Sequence, residues 1–320
     1  MNKLPLVIFR KQLGDVLLLE PALAKLAAST GGSVMLATRP GFEPLLELME
    51  QVVPVPRTLM RSASRVISFD STSKAGLWAL TTSAEDKLLI VTRPKHLRTW
   101  HPWIYRSGCT AEDETKFYRA EYFYNVMPCQ ATIPFRPPRL RQPLAAWLPF
   151  DLPDSYILLH PTSAWQRKSW PYQSWAQVLA GLHAQGIGPF VVTGGKAQWE
   201  SDYVAALEQA SGAPLINLCG KTSMQGYLAA VSRARLVLCI DGSATHLAAA
   251  FQRPSVTLFG PTHPLHWHFP SHIATLVDAR TYADEAKPPV SSIPVEPVLE
   301  AAMQSWRDAA ADRTRLHGIA

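Results

Sequence analysis

The chain has 320 residues, 47% of them apolar, so it is long enough for two globular domains and too apolar to be a disordered segment. Thirty-one Lys and Arg against 25 Asp and Glu leave a net charge of +6, which suits an anionic substrate or an anionic membrane surface; with no Lys/Arg run and no known nucleic-acid motif, a nucleic-acid partner is disfavoured. Four cysteines, at 109, 129, 219 and 239 with no CxxC pair, argue against a disulfide framework or a structural zinc site and for a reducing compartment.

In chain order, Leu4 to Phe9 reads as a buried strand, too short for a signal-peptide core, and Asp15, Glu20 and Lys25 interrupt the best candidate for a membrane span. The expectation is a soluble, cytoplasmic protein. After the strand comes Arg10-Lys11-Gln12-Leu13-Gly14-Asp15 and then helical composition from Val16 to Ala28, with Asp15 at the N-cap and Pro21 offsetting the helix. Strands follow at Ser33 to Ala37, Val52 to Pro56, Val66 to Phe69 and Lys87 to Thr92, with helices at Phe42 to Met49 and Thr72 to Thr81. This alternation is the rhythm of a doubly wound parallel sheet.

From Arg93 to Pro143 basic and aromatic residues interleave, among them Arg93, Arg98, Arg106, Trp100 and Trp103, ahead of an amphipathic segment over Glu112 to Asn125. Such a mixture can stack on nucleic-acid bases, or hold sugar rings and acidic groups. The aromatics of the amphipathic segment fit a helix packed under the sheet, and the basic residues before it are the better ligand candidates. Six prolines between Pro134 and Pro153 mark a linker between domains 1–150 and 151–320.

The second half repeats the pattern. Tyr156 to His160 is a strand, the loop Pro161 to Pro171 follows, Ser174 caps a helix through His183, and Phe190 to Thr193 is the next strand before Gly194-Gly195. A short strand at Leu215 to Leu218 and a helix over Thr222 to Arg233 lead to a minimal βαβ unit: strand Leu236 to Ile240, helix Ala244 to Phe251, strand Ser255 to Phe259. The turn Asp241-Gly242-Ser243-Ala244-Thr245 would present backbone N–H groups at the positive end of a helix, a place that binds phosphate; an ordinary turn capped by Ser243 accounts for the same residues. After Thr262 the chain is irregular and rich in histidine (His263, His266, His268, His272), without recognisable zinc geometry, until a final amphipathic helix over Val295 to Arg307. No GxGxxG follows the first strand and no GxxxxGK[ST] occurs, which disfavours nicotinamide enzymes and P-loop kinases.

Three stretches together resemble one family. Leu13-Gly14-Asp15-Val16-Leu17-Leu18-Leu19-Glu20-Pro21, His160-Pro161-Thr162-Ser163 with Lys168-Ser169-Trp170-Pro171, and Asp241-Gly242-Ser243-Ala244-Thr245-His246-Leu247-Ala248 with Leu258-Phe259-Gly260-Pro261-Thr262 are similar to the GDxLLxxP, PTS…KxWP and DSGxxHxA…LFGPT signatures of the heptosyltransferases, glycosyltransferase family 9 of lipopolysaccharide core assembly. The resemblance implies an α/β GT-B fold: two Rossmann-like domains facing a central cleft, the first for the acceptor and the second for an ADP-heptose donor, with the terminal helix able to pack back on the first domain. It implies an inverting transfer of heptose to the lipid A–core oligosaccharide by an enzyme peripheral at the inner face of the inner membrane, without metal or other cofactor.

In that reading Asp15 is the general base and Lys168 neutralises the leaving group. Thr162, Ser163, Asp241, Gly242, Ser243, Ala244, Thr245, His246, Gly260, Pro261 and Thr262 hold the donor and its phosphates, and Arg10, Arg93, Arg98 and Arg106 meet the acceptor. Two departures bear on the donor. His263 stands where the family often has Asp after GPT, and the GGPxE element reads Gly194-Gly195-Lys196-Ala197-Gln198, which leaves Gln198 or Glu200 to substitute at the ribose. The alternatives are a family member using another nucleotide sugar or a protein acceptor, a nucleotide-sugar epimerase of GT-B-like fold, and a non-catalytic nucleotide-sugar binder.

Overall fold

The computed structural model describes residues 3–55, 61–109, 116–130, 132–148 and 151–317. The chain divides into two compact units, Met1–Arg141 and Gln142–Ala320, with the division inside the proline-rich stretch.

Unit 1 is built on six parallel strands: β1 Leu6–Ile8, β2 Val34–Ala37, β3 Val52–Pro54, β4 Arg65–Ser68, β5 Asp86–Val91 and β6 Arg106–Cys109. Their order in the sheet is β3-β2-β1-β4-β5-β6. A parallel sheet is covered on both faces, so its strands are apolar runs rather than alternating ones; Leu6, Val7, Ile8, Val66, Ile67 and Leu89 are fully buried. A further short parallel pair, Arg61–Ser62 with Thr82–Ser83, lies outside this sheet.

The helices are α1 Leu13–Leu18, α2 Glu20–Thr30, α3 Glu43–Leu48, α4 Ser73–Leu80 and α5 Arg119–Val126. Pro21 sits in the first turn of α2, where its missing N–H costs nothing, and the helix breaks at Leu19 as the sequence predicts. Asp15 is not the N-cap; Gln12 occupies that position and Asp15 lies in the first turn of α1. The expected helix over Glu112 to Asn125 is shorter at its start among the described residues, running from Arg119.

Unit 2 repeats the design with β7 Ile157–His160, β8 Phe190–Val192, β9 Leu215–Asn217, β10 Leu236–Ile240, β11 Ser255–Phe259 and β12 Ala274–Asp278, in the order β9-β8-β7-β10-β11-β12 and parallel throughout. Helices α6 Tyr172–Ala184, α7 Gln198–Ser211, α8 Met224–Arg233, α9 Ser243–Ala250, α10 Pro264–Trp267 and α11 Val295–His317 complete it. In α11, Val298 and Ala302 are fully buried in the core of this unit, and the Arg235 guanidinium lies 3.7 Å from the centre of the Trp306 ring.

In both sheets the strand order therefore reverses between the first and fourth strands of the unit: at β1/β4 in unit 1 and at β7/β10 in unit 2. In open parallel sheets, ligands bind beyond the carboxyl ends of the strands at this switch point, where the flanking loops part.

Candidate active site

In unit 1 the switch point holds a pocket of about 300 Å³. Phe9 and Lys11 follow β1, Phe69 and Ser71 follow β4, and Thr92 and His96 follow β5, while Asp15 comes from α1 and Arg119, Tyr122 and Phe123 from α5. Phe9, Phe69 and Phe123 meet edge to face with centroids 5.3 to 6.2 Å apart, and so form an apolar wall that the pocket's polar groups flank. The Arg119 guanidinium lies 5.7 Å from the Tyr122 ring and 5.9 Å from that of Phe123. The pocket thus combines one carboxylate, a lysine, an arginine, a histidine and flat aromatic faces. That chemistry fits a hydroxyl-rich ligand that also carries negative charge.

None of Arg10, Arg93, Arg98 and Arg106 lines this pocket. Arg10 donates to the Thr38 carbonyl at 2.9 Å, Arg106 approaches Asp86 at 3.5 Å, and Arg93 and Arg98 are exposed. The lining cations are Lys11, three residues past the first strand, and Arg119, the first residue of α5. Lys11 was legible in principle, because the loop after the first strand always borders the switch point.

In unit 2 the loop after β7 and the turn after β10 are joined by one ion pair. Lys168 Nζ donates to Asp241 Oδ2 at 2.6 Å, with the two side chains 15% and 5% exposed, and Thr262 Oγ1 donates to the same oxygen at 2.5 Å. Asp241 thus fixes the ammonium of Lys168 and the hydroxyl of Thr262, bringing the two signature stretches of this unit to one point. The geometry makes Asp241 the partner of the cation; its own negative charge repels phosphate.

Lys168 closes a 3₁₀ turn, Gln166–Lys168, and its ammonium lies 5.3 Å from the centre of the Trp165 ring. Behind it Trp170 is fully buried, donates from Nε1 to the Ile293 carbonyl at 3.1 Å and accepts from the Tyr203 hydroxyl at its own carbonyl.

Helix α9 begins at Ser243 after an extended Gly242, and no side chain caps it. Ser243 is the first helical residue, not the cap, and its hydroxyl faces Tyr227 at 3.3 Å. The first N–H groups of this helix therefore lack a side-chain acceptor, and with Lys168 they suit an anion. Thr245 turns inward, to Cys239 Sγ at 3.2 Å and Thr257 Oγ1 at 3.0 Å. Thr162 is fully buried and donates to Glu200 Oε2 at 2.5 Å, which also accepts from Gly195 N at 2.8 Å. Of the named hydroxyls, Ser163 is half-buried and shares Oγ with the backbone of Trp165. Gln198 is exposed and paired with Asp202.

The Gly260-Pro261-Thr262 turn is fixed from behind. Arg280 Nη1 donates to the carbonyls of Gly260 and Thr262 at 3.2 and 3.1 Å. A Cβ on Gly260 would stand 2.7 Å from the Val290 nitrogen, so glycine is required by close approach. Gly260→Ala is expected to cost about 1–3 kcal/mol in chemical denaturation, the usual range for overpacking a tight contact.

Two histidines of this unit are held neutral. Burial pulls the His160 imidazole down to about 4, and burial does the same to His246, aided by Lys168 and His268 and opposed by Asp241. His246 is 4% exposed, in ring contact with Trp267 at 6.3 Å. An unfolded histidine takes up its proton near 6.5, whereas these two resist until about 4. Their contribution to stability is therefore complete above pH 6.5 and is lost as pH falls toward 4. The melting temperature should drop across that window, and His160→Gln with His246→Gln should flatten the drop. Among the described residues, no group of three or more His, Cys, Asp or Glu could hold a metal ion.

The profile of the family described as Glycosyltransferase family 9 (heptosyltransferase) matches residues 135–289. The lipopolysaccharide heptosyltransferase 1 of Escherichia coli (strain K12) is 30% identical over 117 residues, which is 37% of this chain and 35% of that protein, so the match spans about a third of the relative's length. Among solved structures, that of a glycosyl transferase family 9 protein from Veillonella parvula DSM 2008 aligns with a TM-score of 0.78 at 18% identity, covering 96% of this chain and 97% of the other. An E. coli heptosyltransferase with ADP aligns with a TM-score of 0.74 at 18% identity, covering 94% and 99%. These likenesses show the fold, the GT-B class of paired Rossmann-like domains.

Proposed function

We propose that the chain, whose residues 135–289 match the profile of glycosyltransferase family 9 (heptosyltransferase), is an inverting glycosyltransferase that moves heptose from ADP-L-glycero-D-manno-heptose to the lipopolysaccharide core oligosaccharide. The observation that carries this reading is the Lys168–Asp241–Thr262 cluster beside the uncapped start of α9. Departure of ADP puts negative charge on the β-phosphate, and a fixed ammonium with oriented N–H groups stabilises that charge as it develops. Asp15, in the pocket of unit 1, is the group suited to take the proton of the attacking acceptor hydroxyl. A carboxylate is a weak base in the ground state, so its help is felt where that proton becomes acidic, in the transition state.

Lys11, Arg119 and His96 would meet acidic groups of the acceptor, and the aromatic wall its ring faces. The protein would work at the cytoplasmic face of the inner membrane as a peripheral enzyme, since its acceptor is anchored in lipid. Calorimetry with ADP, UDP and GDP tests the donor assignment: ADP should bind tightest, and binding should weaken markedly in Lys168→Met. Tighter binding of UDP than of ADP overturns it.

A further inference from the structure

Unit 1 carries an unusual surface where α4 meets the segment that follows β5. In α4 the residues Ala75, Gly76 and Ala79 are buried, whereas Leu77 and Leu80, one turn apart, are 60% and 59% exposed. The segment Trp100 to Ile104 packs onto α4 so closely that a Cβ on Gly76 would stand 2.5 Å from the Trp100 ring. His101 Nε2 hydrogen-bonds the Ser71 carbonyl at 3.1 Å, and the Tyr105 hydroxyl donates to the Ala75 carbonyl at 3.3 Å. These contacts make one firm ridge of the two segments. That ridge also carries Trp103, 88% exposed. A single exposed leucine is ordinary, but two leucines and a tryptophan on mutually packed segments keep a large apolar area in water.

The charges of the same ridge have one sign. Residues 71–80 and 93–106 contain Lys74, Arg93, Lys95, Arg98 and Arg106, all exposed, and no Asp or Glu. The nearest acids in sequence are Asp70, which is buried and accepts from the Thr72 N–H at 2.9 Å, and Glu85 and Asp86; Asp86 is half-buried, with Arg65 at 2.9 Å and Arg106 at 3.5 Å.

We propose that this ridge is the docking surface for an anionic phospholipid bilayer. Leu77, Leu80 and Trp103 enter the boundary between headgroups and acyl chains, and Lys74, Lys95 and Arg98 meet lipid phosphates. Tryptophan beside aliphatic residues and single-sign cations is the combination that suits this boundary, where an indole buries its rings and keeps its N–H wet. Among the described residues no helix is long and apolar enough to cross a membrane, so contact of this kind is with the surface. The inference deepens the transferase reading by naming the face that meets the acceptor's membrane, but lipid binding is measurable without any transfer.

The test is sedimentation of the full chain with phosphatidylcholine vesicles, with and without phosphatidylglycerol. The native chain should bind the anionic vesicles about ten-fold or more tightly than neutral ones, and raised salt should release it. Leu77→Ser, Leu80→Ser and Trp103→Ser combined should weaken binding about ten-fold or more, with melting temperature and transfer to a soluble, delipidated acceptor fragment unchanged. Lys74→Glu with Lys95→Glu should weaken it by about five-fold for each charge. Failure of the native chain to bind anionic vesicles overturns the proposal, as does undiminished binding by the triple variant. So does light scattering that shows the ridge joining two copies of the chain while vesicle affinity is unaffected by the variants. Absence of transfer with vesicle binding intact counts against the transferase reading and supports the docking surface.

Discussion

Lys168→Met should lower turnover by about 10²–10³, the usual cost of removing one oriented donor from a developing anion. It should also unfold more easily, because the Asp241 carboxylate, 5% exposed, is left without its cation. Breaking a buried pair from one side costs about 3–5 kcal/mol, since the remaining charge is uncompensated. The combination Lys168→Met with Asp241→Asn separates the two effects. Its stability should return most of the way toward the native value, because no buried charge remains, while its turnover stays low. Urea denaturation and single-turnover transfer measure the two. Recovery of rate in the double variant would assign Lys168 a structural role alone.

Asp15→Asn should lower transfer by about 10²–10⁴, the range for loss of general-base help, with little change in donor affinity. The substitution nearly preserves shape and removes only the charge. The charge it takes from the first turn of α1 is worth about 0.3–1 kcal/mol, and the asparagine side chain keeps the length and one carbonyl acceptor of the original, so the stability cost should stay well below the loss of rate. A large loss of rate with a small shift in melting temperature is therefore the signature of chemistry. Transfer retained within a few-fold would remove Asp15 from the mechanism.

The local alternation of strands and helices was readable because each parallel strand is buried on both faces and announces itself as an apolar run. Leu236 to Ile240 and Ser255 to Phe259 match the observed strands residue for residue. The strands at Arg106–Cys109 and Ala274–Asp278 were not read. The first is mostly polar and begins just after an aromatic loop; the second follows a histidine-rich irregular stretch, and only Val277 in it is fully enclosed by the core.

Within the site, the motifs were visible but their internal partnerships were not. Nothing in the spacing of Lys168, Asp241 and Thr262 says that one carboxylate oxygen receives both donors. Likewise Thr162 and Thr245 read as ligand-facing hydroxyls, whereas the fold turns them to Glu200 and to Cys239 with Thr257. Long-range pairing of this kind depends on how strands far apart in sequence come to lie together, which local pattern does not encode.

The family match ends at residue 289, one position short of Val290. Yet the Gly260 turn rests directly against Val290, and the buried Trp170 that backs the Lys168 loop is tied to the carbonyl of Ile293. The recognisable stretch of sequence and the self-supporting physical body are therefore not the same object. An excised fragment cut at the edge of the match would keep every signature residue of the donor site and lose the wall behind two of its loops; dissection of this unit has to carry the chain on through α11.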